Sequence, residues 1–139
     1  MTDYSTQIQA KLDELHTASN GGTIHLGPGT YPISKSLLVY NNTKIIGDGH
    51  TIIEQRTNNT HAIILNGSHI TLRDLTIKLA GDCTEITACI YANSNNVEGG
   101  QRNELYPENR NVWYCSIDNV TLLGSYGFSW GADGAYVSE

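Results

Sequence analysis

Two stretches of this chain gather acids and aromatics, the first with arginines as well. Residues 93–110 hold Glu98, Arg102, Glu104, Tyr106, Glu108 and Arg110 among few apolar residues. A carboxyl such as Glu104 can carry a proton, a guanidinium fork can grip a carboxylate, and a tyrosine face can stack on the apolar face of a sugar ring. Read for chemistry, Glu104 is catalytic, and Arg102, Tyr106 and Arg110 hold substrate. Read plainly, the segment is a solvated loop or a subunit contact. The second stretch runs Tyr126-Gly-Phe-Ser-Trp130 and continues to Asp133 and Gly134. There Tyr126 and Trp130 are candidate stacking platforms and Asp133 a candidate acid. The plain reading is a corner of a strand repeat, with Phe128 or Trp130 in the core. Asp118 is a third candidate acid, able to approach Asp133 across neighbouring strands.

Glycoside hydrolysis wants two carboxyl groups roughly 5–9 Å apart. Asp74 and Asn119 fall on one repeat position, so that column offers a single acid. Arg73 stands beside Asp74, and Asp82 with Glu85 could offer oxygen ligands in a turn; each also reads as structural or solvated. Histidines 16, 25, 50, 61 and 69 have no metal-ligand spacing. Cys83, Cys89 and Cys115 have none either, and Cys89 and Cys115 fall on apolar repeat positions, as small core residues would. No metal site follows from spacing.

The elements that must position these residues are legible. The chain has 139 residues, one domain's worth, with a net charge of −6 and 14 glycines. Eight scattered Lys and Arg do not form a nucleic-acid footprint. The longest apolar run is five residues, 88–92, so no membrane span is expected, and the N-terminus lacks the pattern of a signal peptide. Ile8, Leu12 and Leu15 make one apolar stripe, predicting a helix over 5–18, capped by Ser5 or Thr6 and stopped at Asn20-Gly21-Gly22. Short apolar strands follow at 23–26 and 31–33, around a Gly27-Pro28-Gly29 turn.

From residue 38 the sequence repeats. A shift of 25 carries Leu38 onto Ile63, Val39 onto Ile64, Asn41 onto Asn66, Ile45 onto Ile70 and Ile52 onto Ile77. A further shift of 45 carries Asn66 onto Asn111, Leu72 onto Ile117, Leu75 onto Val120 and Ile77 onto Leu122. Residues 88–91 match 62–65 at a shift of 26, leaving a 19-residue insertion at about 93–110. One such circuit cannot bury its own apolar face, whereas stacked circuits can. Asn41, Asn66 and Asn111 are expected at one corner, in left-handed geometry and bonded as an amide ladder. A leucine-rich repeat has similar spacing, but its Leu-x-x-Leu-x-Leu pattern does not recur.

The run Gly21-Gly-Thr-Ile-His-Leu-Gly-Pro-Gly-Thr-Tyr31, followed by Thr43-Lys-Ile-Ile-Gly-Asp-Gly49, resembles the opening of the pectate-lyase-like superfamily, including phage tailspike and tail-appendage domains. The resemblance covers about residues 5–53. It implies an all-β fold: a right-handed parallel β-helix of about 25 residues per coil, with an N-terminal capping helix at 1–20 and coils over 21–139. Tyr126-Gly-Phe128 also resembles the start of the Tyr-Gly-Phe-Asp-Pro-His motif of mannuronan epimerases, but Ser129 and Trp130 replace Asp and Pro, and no His follows.

The expected function is binding and depolymerisation of a bacterial surface polysaccharide as part of a phage tail appendage. The rival is a non-catalytic receptor-binding or structural module, with a polysaccharide lyase or epimerase as a further alternative. An active form would be a lyase or a glycoside hydrolase. Resemblance further implies a homotrimer, Ca²⁺ as the conceivable cofactor, and a virion-tail or extracellular location. The chain stops after a strand-like segment with no cap, as a piece of a longer β-helix would.

Overall fold

The computed structural model describes residues 2–84, 87–92 and 114–124, with the backbone of 128–129. The chain opens on a helix, α1 (Ser5–Ser19), with Ile8 and Leu12 buried and Leu15 packed beside them. Tyr4, rather than Ser5 or Thr6, holds the N-cap position and gives no side-chain cap. The first orphan N–H is satisfied from further back: Asp3 Oδ1 accepts the Ser5 N–H at 2.9 Å and the Ser5 hydroxyl at 2.7 Å. The buried Ser5 oxygen in turn accepts the N–H groups of Ser34 and Lys35, tying the helix start to the strands. The helix ends at Asn20 in left-handed geometry, φ 53°.

Among the described residues nine strands follow: β1 (Gly22–His25), β2 (Gly29–Ile33), β3 (Leu37–Val39), β4 (Thr43–Gln55), β5 (Ile63–Leu65), β6 (Thr71–Leu79), β7 (Ile90–Ala92), β8 (Ser116–Leu123) and β9 (Phe128–Ser129). One sheet runs β1-β4-β6-β8, with β2 also on β4; the other runs β3-β5-β7-β9. Every pairing is parallel. The early half of β4 pairs β1 and its late half pairs β2, so each long strand bends between two walls. Mostly β, with parallel sheets and one helix, the architecture is consistent with the β-helix class.

Register departs from the uniform shift of 25. Leu37 faces Ile63, an offset of 26. Ile45 faces Leu72, an offset of 27, and Ile53 faces Ile77, an offset of 24. The cause is a bulge: residues 47–50 of β4 bow out where β6 crosses with Asp74 alone. A shift of 25 averages these values and is wrong at each strand by one or two residues. That matters because a one-residue slip exchanges the two faces of a strand. Ile77 is fully buried, while Ile52, its partner at a shift of 25, faces outward and is partly exposed. Between β6 and β8 the offset of 45 holds throughout, since Asp74 and Asn119 make matching bends. Residues 88–91 are likewise displaced by one: Ile63 faces Ile90 at 27, so Ile90, not Cys89, is the partner and the excess over 27 is 18 residues.

The core lies between the sheets. Leu37, Ile45, Ile53, Ile63, Leu72, Ile77 and Ile90 have no exposed surface, each side chain contributing about 1.5–3 kcal/mol by burial. Buried polar groups close the corners: Thr51 Oγ1 donates to the carbonyls of Leu26 and Gly27, and Gln55 Nε2 donates to His61 O at 3.1 Å. On β3, Gln9 of the helix accepts the Leu38 N–H at 2.8 Å and donates to its carbonyl at 3.1 Å, as a neighbouring peptide would. No helix of the described residues is long and apolar enough to cross a membrane.

Candidate functional site

Strand alternation decides which side chains reach solvent. With Ile24, Ile45, Leu72 and Ile117 turned inward, their neighbours His25, Ile46, Arg73 and Asp118 turn outward. Register places these four in one column across β1, β4, β6 and β8, successive members about 4.8 Å apart. A second outward column, one step towards the strand starts, contains Thr71 beside Ser116. Asp118, the expected acid, is exposed and sits directly opposite Arg73. Arg73 Nε lies 4.0 Å from Asp74 Oδ2, with both side chains more than a third exposed, a loose pair worth well under 1 kcal/mol. Such a face can hold an anion on Arg73 and offer Asp118 as a proton carrier or hydroxyl ligand.

The bend beside this column is built from left-handed residues. Asp74 (φ 58°) and Asn119 (φ 52°) are in register, and Asn119 Nδ2 donates to Asp74 Oδ1 at 2.8 Å. The column holds one acid, and its amide-to-carboxylate bond is the ladder that was expected instead at Asn41 and Asn66. Those two do not ladder. Asn41 Oδ1 accepts the Ser68 N–H at 2.7 Å, and Asn66 Oδ1 is buried without a partner. The left-handed residue is the next one along, Asn42 (φ 59°). In its column stand His69 (φ 60°) and Tyr114 (φ 57°), whose rings stack with centroids 5.2 Å apart. Tyr114 is 77% exposed. Sequence reasoning passed over Tyr114, although the shift of 45 applied to His69 lands on it. Arg73 opposite Asp118 follows from the same shift.

Of the expected site residues, Asp118 alone falls among the described residues. Glu104, Arg102, Tyr106, Arg110, Tyr126, Trp130 and Asp133 lie outside them, as do Glu85 and Asn111. The backbone of Phe128 and Ser129 continues the second sheet, opposite Ile90 and Tyr91.

The thiols of Cys89 and Cys115 are poor nucleophiles. Burial pushes Cys89 up to about 11 and raises Cys115 as well, and the Cys89 Sγ points at the carbonyls of Ile77 and Leu123. Among the described residues no three acids, histidines or cysteines converge as a metal site. A recess of about 290 Å³ opens between α1 and residues 35–36. Its lining includes Gln9, whose amide is already bonded to Leu38 and Asp13.

Residues 1–102 match the family model described as rhamnogalacturonase A/epimerase, pectate lyase-like. No curated protein and no solved structure matches.

Proposed function

The chain belongs to the rhamnogalacturonase A/epimerase, pectate lyase-like family, and from that premise we propose that it is a saccharide-directed, right-handed parallel β-helix protein acting in a phage tailspike or tail appendage. In this reading α1 covers the first coil, and coils of about 25 residues carry the outward face. The substrate is a bacterial surface polysaccharide, the assembly a homotrimer, and the location a virion tail or the extracellular space. The observation that carries the reading is the outward Arg73–Asp118 pair on adjacent parallel strands of such a family member. Arg73 would hold a sugar carboxylate, and Asp118 would ligate or protonate beside it.

A second reading, a binding module without turnover, is favoured by one feature. Among the described residues, Asp74 is engaged by Asn119 and lies beside Arg73, leaving Asp118 as the outward acid of this column. Hydrolysis by paired carboxyls needs a second free acid at ~5–9 Å.

Incubation with bacterial capsule, alginate and pectin separates the two. Release of reducing ends or unsaturated-sugar absorbance, lost about a hundredfold in Asp118→Asn, supports depolymerisation with Asp118 as the acid. Retained binding without product supports the module. Neither product nor binding on any glycan overturns both. An active protein unaffected by Glu104→Gln or Asp133→Asn would remove those residues from the site.

A further inference from the structure

We propose that Tyr114, backed by His69, is a stacking shelf for the apolar face of a pyranose ring, at one end of the outward face that carries Arg73 and Asp118. The proposal rests on the saccharide reading above and names where that face would grip a sugar.

Three observations converge. The first is conformational. Left-handed geometry at a bulky residue such as Tyr is uncommon and costs energy, whereas Gly, Asn and His visit it more readily. The corner column runs Gly21, Asn42, His69, Tyr114, with positive φ at every member. Gly, Asn and His are the types that visit this backbone most readily, and the column ends on Tyr114, which does not. Strain kept where Gly or Asn would relieve it points to a use for the side chain.

The second is exposure. Tyr114 presents 77% of its surface to solvent although His69 stacks against it at an interplanar angle of 17°. The stack fixes the ring's orientation and leaves much of it accessible. A pre-oriented ring loses little entropy on binding a rigid sugar.

The third is the company. Thr71 and Ser116, two residues along from His69 and Tyr114, turn outward in register. Arg73 and Asp118 follow two residues further, about 13 Å from the shelf along the strands at ~3.3 Å per residue. Hydroxyls beside an aromatic face, with a cation and an acid beyond, suit successive sugar units of one chain.

The test uses the full chain in affinity electrophoresis through gels containing alginate, pectin or bacterial capsular polysaccharide, with urea midpoints measured in parallel. The informative variant is Tyr114→Asn, which places the residue type of Asn42 in the same backbone conformation; Tyr114→Phe keeps the ring. The proposal expects Tyr114→Asn to bind about tenfold more weakly or worse, with a midpoint unchanged or higher, while Tyr114→Phe binds as the parent. Equal retardation of parent and Tyr114→Asn overturns the shelf and leaves the saccharide reading standing. A lower midpoint in Tyr114→Asn overturns it too, marking the stack as structural. A parent retarded by no glycan overturns shelf and reading together.

Discussion

Two corners of the same circuit use the same backbone conformation and fill it differently. At one, Asp74 and Asn119 sit at φ 58° and 52° and bond to each other at 2.8 Å. Short polar side chains suit that geometry, and their bond links neighbouring circuits. At the other, His69 and Tyr114 sit at φ 60° and 57°, with large rings exposed to water. Tyr114 brings a large apolar ring where Asn42 of the same column brings a small amide. Under the proposed stacking shelf, the contrast separates a corner whose residues serve the fold from one whose residues serve a ligand.

The largest effect should come from beneath both corners. Ile77→Ala, at a site with no exposed surface, is expected to lower stability by about 2–5 kcal/mol in urea unfolding. A loss below 1 kcal/mol would mean that the walls carrying the corners do not share one core. Next comes the small-residue corner. Asp74→Ala removes the Asn119 bond and puts a poorer residue at positive φ, so a loss of about 1–2 kcal/mol is expected. Tyr114→Asn should do the opposite and leave stability unchanged or raise it by no more than about 1 kcal/mol. Equal losses in Asp74→Ala and Tyr114→Asn would erase the distinction between the corners.

The smallest effect should come from pH, through two groups outside both corners. Burial lowers the His61 imidazole below its usual range, and its Nδ1 accepts the Ala88 N–H at 3.0 Å. Its contribution is complete above about pH 6.5 and is lost as pH falls below that value. Hydrogen bonds from Ser34 and Ser5 hold Asp3 at about 2 against an ordinary 3.8. That contribution is present above pH 4 and fades as pH drops towards 2. Urea midpoints at pH 7, 5 and 3 should therefore fall in two steps, with His61→Gln removing the first. An unchanged first step in that variant would exclude His61 as its source.

Much of the fold was readable because burial writes itself into residue type. Ile8, Leu12 and Leu15 had to share a helix face, and Leu72, Leu75 and Ile77 had to recur 45 residues on as Ile117, Val120 and Leu122. The candidate site was less readable. Arg73 opposite Asp118, and His69 under Tyr114, follow from that shift, yet nothing in the residues themselves announces an outward column or a stacked pair. The lead given to residues 93–110 and the C-terminal segment rested on composition, which carries no register.

Sequence alone determined the helix, the parallel-stacking repeat and the family to which the chain belongs, because periodicity and apolar spacing are local properties. Tertiary structure decided the register. The bulge at residues 47–50 changes the offset from 27 to 24 within one strand, and no uniform shift can express it. In a strand a single residue decides between core and solvent. Which side chains meet on the outer face, and so which could meet a ligand together, is therefore fixed by where the chain bulges.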